Sequence, residues 1–307
     1  MASQFAITKS VQFTHPCAKR KIFRMFKFYM DDSGTHGDAR VSIAAGYIAR
    51  ARSWRKFEED WRWALDKFKV PLDRFHAKNF YPKPPRGSWF DDRWENAGRH
   101  EEFAKFMANL IAAHHRIQPV GIGILVDDFM ACPEDLRRWL TGAEIEKGVL
   151  KTSGSPNSAF FYSFNECMKK AATGLPRGNQ IHPSFGLGSP LSGYALDLIN
   201  RMAKKKKTGR DFNWDAILGD PVFPLAAKTP ELQAADYLAY VMYHYITEML
   251  KAGRSGQDLY YSPPSPILEI LIKNRQDASS FKLLNHEAIR EALEVARRKS
   301  IPKSDKL

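Results

Sequence analysis

The stretch Lys27–Gly37, read as K-F-Y-M-D-D-S-G-T-H-G, constrains this chain more than any other. Apolar side chains run from Ile22 through Phe26, Phe28 and Met30; two adjacent carboxylates, Asp31 and Asp32, then stand before a Ser-Gly turn. The pattern predicts a strand that delivers Asp31 to its end. The pleat fixes the last side chain of a strand while the turn beyond leaves its surroundings open, so chemistry gathers at such positions. Adjacent aspartates repel each other, and hard divalent cations such as Mg²⁺ or Mn²⁺ prefer carboxylate oxygens. A metal ion is therefore the expected neutralising partner.

Arg40–Ala49 is rich in β-branched residues and alternates in polarity, so it is expected to pair with the Asp31 strand as a hairpin across Ser33–Asp38. Ser53 is placed to cap a helix whose apolar positions Trp54, Phe57, Trp61, Leu65 and Phe68 recur at spacings of three and four. Trp63 falls on the opposite face and is left open for a ligand. Arg74–Ala77 reads as a short strand ending near His76. The Pro- and Gly-bearing loop Tyr81–Trp89 follows, carrying Lys83, Arg86 and Trp89, with Phe90 just beyond. Such a loop suits a lip that stacks on bases or pairs phosphates, and equally a plain surface loop. Glu101–Ala113 is an amphipathic helix. Ile117–Val126 is apolar enough for a buried strand, and ends in a second acidic pair, Asp127-Asp128, which also reads as the solvated start of a loop.

In the second half, Asn157–Ala172 is helical with Phe160, Phe161, Phe164, Met168 and Ala171 inward and Glu166 off that face. Gln180–Phe185 is a short strand, Leu191–Met202 a helix running into the lysines Lys204, Lys205, Lys206 and Lys207, and Phe212–Gly219 a last strand ending at Asp220. The lysine run adds weight to a phosphate-backbone contact without sequence information. Glu231–Leu250 is the most informative helix. Its apolar stripe includes Leu232, Ala235, Ala239, Met242 and Ile246, and Asp236 falls inside it. A carboxylate on a buried face is costly unless a cation or hydrogen-bond donors meet it. Either a metal or a structural salt bridge answers that cost. Helices over Ile267–Lys273 and His286–Arg298 complete the chain as a peripheral cap.

The 307 residues hold 47 Lys and Arg against 34 Asp and Glu, a formal net charge of +13. That balance concentrates polyanions and favours nucleic acid as partner, although basic charge also serves solubility. The three cysteines, Cys17, Cys132 and Cys167, have neither disulfide-framework nor zinc spacing, which fits a cytoplasmic, reducing setting. No apolar run approaches the roughly 20 residues that span a bilayer. Met1–Arg24 reads as a flexible basic extension.

Tyr29–Gly34 near the start, Phe75-His76-Ala77 in the middle and Leu232-Gln233-Ala234-Ala235-Asp236-Tyr237-Leu238-Ala239 near the end together resemble the domain-of-unknown-function 3800 family. Its pattern runs Y-x-D-E-S-G, then an H-A element, then a final L-Q-x-A-D-x-x-A helix. The resemblance covers roughly Lys27–Tyr245. It implies a ribonuclease H-like fold, similar to Holliday-junction resolvases and integrases, and a metal-dependent nuclease activity in proteins frequent in bacterial and phage genomes. It further implies that Asp31 and Asp236 are two ends of an acidic site for two Mg²⁺ or Mn²⁺ ions roughly 4 Å apart. His76 would then assist proton transfer or orient the phosphate, or serve as a core histidine. Two departures stand out. Asp32 replaces the usual Glu, and the strand ending His182-Pro183-Ser184-Phe185-Gly186 lacks the Asp that members often carry, with Asp127 and Asp220 as substitutes to consider.

The expectation is therefore an α/β, ribonuclease H-like mixed sheet flanked by helices over residues 25–252, with a C-terminal helical extension over 253–307. Metal-dependent cleavage of DNA or RNA is the expected function, with Asp31 and Asp236 as ligands and Asp32 and His76 in support. The alternative is a catalytically degenerate nucleic-acid-binding or scaffold subunit, working with a partner protein or as a homo-oligomer. In a third reading Asp31 and Asp236 are fold-stabilising acids facing Arg or Lys.

Overall fold

The structure, a computed structural model, describes residues 25–94, 97–143, 145–146, 149–150, 154–173, 175, 179–186, 192–204, 221–254, 264–275, 280–284 and 286–300. Two strands form the expected hairpin: β1 (Met25–Ser33) and β2 (Val41–Arg50) pair antiparallel with Met30 opposite Gly46 and Asp31 opposite Ala45. Its connection needs Gly34, whose φ of +72° lies in the left-handed region and whose missing side chain would meet the Val41 carbonyl oxygen at 2.1 Å.

Helix α1 (Ala51–Lys67) leaves β2 directly, with Arg50 as its N-cap residue and no capping side chain, so Ser53 lies inside the first turn rather than before it. The expected apolar stripe is buried in full, from Trp54 through Phe68. Arg74–Ala77 is not a sheet strand. Single 3₁₀ turns occupy Leu72–Arg74 and Ala77–Asn79, leaving Phe75 and His76 extended between them. After a short helix α2 (Trp89–Arg93) comes α3 (Ala97–Ala113), then β3 (Gln118–Leu125), which pairs antiparallel with β2.

Chain reversals through α4 (Val126–Met130), α5 (Glu134–Leu140) and the two-residue strands β4 (Ile145–Glu146) and β5 (Val149–Leu150) lead to α6 (Phe160–Thr173). Strand β6 (Gln180–Phe185) lies parallel to β1, α7 (Ser192–Lys204) follows, and α8 (Pro230–Lys251) is the long helix expected from its stripe. The expected strand at Phe212–Gly219 falls outside the described residues.

The C-terminal segment differs from a peripheral helical cap. Between α9 (Pro266–Leu271) and α10 (His286–Ser300) it contributes a fifth strand, β7 (Phe281–Leu284), parallel to β3 at the sheet edge. The sheet order is β6-β1-β2-β3-β7, mixed, with β2 running against the rest.

Both faces of the sheet are covered, which is why β2 is buried along nearly its whole length. One apolar layer joins Tyr29, Tyr47, Trp54, Trp61, Phe103, Tyr237 and Leu268, from β1, β2, α1, α3, α8 and α9. The other joins Phe28, Met30, Ile122, Phe164, Leu198 and Ile289, from the opposite pleat of β1, from β3 and from α6, α7 and α10. Helix α8 lies so close to β3 that a side-chain carbon at Gly121 would meet the Met242 sulfur at 2.5 Å.

Candidate acidic site

The pleat of β1 decides which of its two aspartates faces α8. Tyr29 packs in the layer of α1 and α8, whereas Phe28 and Met30 pack in the opposite layer. Strand alternation therefore sends Asp31 to the α8 side and Asp32 away from it. The Asp32 backbone N–H donates to Asp31 Oδ1 at 3.0 Å, and Asp32 Oδ2 accepts the Thr35 hydroxyl at 2.8 Å. Asp32 is thus a tie within the hairpin turn as much as a neighbour of Asp31.

Asp236 comes to the same place from the buried first half of α8. His76 Nδ1 lies 2.9 Å from one of its carboxylate oxygens and 3.0 Å from the other, and the Ala77 N–H donates at 2.7 Å. An ionised carboxylate only accepts, so Nδ1 carries the proton and Nε2 is left as an acceptor. The His76 side chain is 46% exposed, so that acceptor has access to solvent. Gln233, one turn earlier, fixes the neighbourhood. Its Oε1 accepts from Trp61 Nε1 at 2.8 Å, and its Nε2 donates to the Leu72 carbonyl at 2.6 Å, tying α8 to α1 and to the segment that carries His76.

Electrostatics single out Asp31. Burial lifts its pKa well above the ordinary carboxylate value, the negative charge of Asp236 adds to the rise, and Asp32 adds further. The residue as a whole is partly buried, and the charge of Asp236 acts on Asp31 alongside desolvation. Asp32 is raised too, chiefly by burial, with the Thr35 bond opposing and Asp236 reinforcing. Among the described residues no Lys or Arg forms an ion pair with Asp31 or Asp236. The salt-bridge reading of this pair therefore finds no basic partner among the described residues.

The donor chemistry fits a hard cation. Mg²⁺ is commonly held by one or two carboxylates while water and substrate phosphate complete its shell. A closed cage is a different matter: among the described residues no group of three or more His, Cys, Asp or Glu side chains is arranged to hold a metal ion. The register of β6 with β1 ends with Met30 opposite Phe185, one residue short of Asp31, and Gly186 follows just past the end of β6.

The other anticipated residues lie elsewhere. Asp127 sits in the first turn of α4, where a carboxylate suits the helix dipole, and it is not among the charges acting on Asp31. Asp220 and Lys205, Lys206 and Lys207 fall outside the described residues; Lys204 closes α7. Lys83 and Arg86 are exposed on the loop after Ala77–Asn79. Phe90 is fully buried and Trp89 packs on it with Arg93 across its ring, so neither forms an open stacking lip. Trp63 is exposed but borders Phe106 and Lys67. Glu166 pairs with Lys169 on the surface of α6. The role of Gln233 was not anticipated, although its place inside the buried stripe was a signal.

No protein-family model, curated protein or solved structure matches the chain. Among the described residues, no helix is long and apolar enough to cross a membrane.

Proposed function

We propose that this protein is a metal-dependent nuclease that hydrolyses phosphodiester bonds of DNA or RNA at the Asp31–Asp236 pair. One observation carries the reading. Two carboxylates from distant parts of the chain are brought into mutual repulsion at a sheet end, with no Lys or Arg between them among the described residues. A fold keeps such a pair at a cost unless a ligand cation offsets it. The likeness to the domain-of-unknown-function 3800 family and its ribonuclease H-like fold belongs to the same proposal, and the mixed sheet opening on an antiparallel hairpin is in keeping with it.

Asp31 and Asp236 are the residues that would hold Mg²⁺ or Mn²⁺, with Asp32 in support. When bound, such an ion lowers the pKa of attacking water and stabilises charge on the phosphate. The protein's own part is separate. Asp236, itself held by the Ala77 amide, orients His76, so its Nε2 is available to accept or return a proton at the reacting oxygen. The basic surface, including Lys83 and Arg86, draws the polyanion in.

A second reading, a binding subunit without activity, draws on the end of β6, where Phe185 and Gly186 offer no carboxylate to complete the site. The deciding experiment is cleavage of labelled single- and double-stranded DNA and RNA with Mg²⁺ or Mn²⁺, using wild type, Asp31→Asn and Asp236→Asn. Metal-dependent cutting that disappears in both variants supports the nuclease. Salt-dependent binding with no cutting by wild type supports the binding subunit.

A further inference from the structure

The sheet face that carries Asp31 also opens into a cavity of about 510 Å³, lined by Lys27 and Tyr29 of β1, His182 and Ser184 of β6, and Lys228 and Glu231 at the entry to α8. Its size lies within the range of small-ligand pockets. Position links it to the acidic pair. In the parallel register Lys27 stands beside His182 and Tyr29 beside Ser184, and residues paired in this way share a face. On β1 the next residue of that face is Asp31, one step past the last pair of the two strands. A polar file therefore runs from the cavity to the carboxylates, with Tyr29 and Asp31 two strand residues, roughly 7 Å, apart.

The lining asks for a particular kind of occupant. His182 lines the cavity, and its Nδ1 is buried without a hydrogen-bond partner among the described residues, so an occupant that draws the ring toward it gains a bond the free protein lacks. Glu231 is buried, and the Tyr29 hydroxyl bonds to it while accepting from Lys27 Nζ at 3.5 Å. That chain fixes the cavity floor. Lys228 is exposed and adds positive charge, and Glu58 also lines the cavity, its charge acting on Tyr29 and Glu231. The occupant must offer a hydrogen-bonding edge to an imidazole nitrogen and a hydroxyl, bear negative charge toward the lysines, and be continuous with a group at Asp31. A nucleotide meets all three conditions.

We infer that this cavity is the subsite for the nucleotide adjoining the scissile phosphate, with His182 and Ser184 reading the edge of its base and Lys228 meeting a phosphate. The inference rests on the nuclease reading of Asp31 and Asp236. The subsite gives the reaction a base preference on one side of the cut.

Two measurements on the full-length protein test it. The first is calorimetric titration with AMP, GMP, CMP and UMP in EDTA, for wild type, His182→Ala and Lys228→Ala. The second is metal-dependent cleavage of oligonucleotides that differ only in the base beside the cut. We expect at least one nucleotide to bind without metal and both variants to weaken it about tenfold, with His182→Ala flattening the base preference by a similar factor. Lys228 is exposed, so its substitution spares the fold if His182→Ala does not. Binding that depends on these residues without any cleavage keeps the subsite and discards the nuclease. Cleavage with no mononucleotide binding, or with binding and base preference equal in all three proteins, overturns the subsite and leaves the nuclease standing.

Discussion

His76 and Asp236, 160 positions apart, meet through one imidazole nitrogen and both carboxylate oxygens, at 2.9 and 3.0 Å. The contact occupies Nδ1, and the proposed nuclease mechanism gives Nε2 a second, separable task as proton acceptor. His76→Ala removes both, and cleavage is expected to fall about 10²- to 10⁴-fold. His76→Asn keeps an amide donor for Asp236 but has no basic nitrogen. It should retain metal affinity near wild type while losing most of the rate. If Asn restores the rate as well, the histidine only positions Asp236.

Asp31 gives stability a pH dependence whose sign follows from its neighbours. Its folded pKa lies above the ordinary value of 3.8, so the folded state binds the proton more tightly than the unfolded chain does. The associated stability is present below the ordinary value and lost as pH rises through the raised one. In EDTA at neutral pH, Asp31→Asn should melt roughly 2–4 °C above wild type. The difference should vanish in acid. Adding Mg²⁺ should raise the melting temperature of wild type and not of the variant. A variant that melts lower than wild type in EDTA would show that Asp31 has a cationic partner after all.

Gly186 offers a gain-of-function test. A side-chain carbon there would make only an ordinary 3.8 Å contact with Ala226, and its backbone is not in the left-handed region. Gly186→Asp is expected to add a carboxylate just past the end of β6 and to tighten Mn²⁺ binding about tenfold or more, read by electron paramagnetic resonance. Unchanged affinity would mean that the end of β6 does not reach the ion.

Gln233 is expected to matter for stability first. Gln233→Leu leaves the Trp61 indole N–H without its partner, at about 1–3 kcal/mol if that group stays dry, and takes from the Leu72 carbonyl one of its two donors, the Phe75 N–H remaining. Urea unfolding should show the loss, and cleavage should fall with it because Leu72 anchors the segment leading to His76. A variant as stable as wild type would mean that water replaces the amide.

Much of this arrangement was legible in the chain because it is local. Alternation gave the β1–β2 hairpin, and three-and-four spacing gave α1, α6 and α8 together with the burial of Asp236. The misreadings came where tertiary contacts decide. Phe281–Leu284 is too short and too ordinary to announce a strand, and becomes one by adding to the free edge of β3. Phe75 and His76 are extended but held by α8 rather than by a sheet, so their dihedrals resemble a strand without its ladder. Phe90, read beside a Pro-rich loop, is core because α2 turns it onto Phe80, Trp94 and Phe103. The pairing of His76 with Asp236 has no local signature at all.

The placement of the two acids at opposite ends of the sequence also sets when the site comes into being. Asp31 emerges early from a ribosome, on the first strand, and Asp236 late, on a helix that is complete only at Lys251. A chain that stops short of α8 carries one half of the pair, so the two carboxylates and His76 meet only once the helix ending at Lys251 has been made and packed on the sheet.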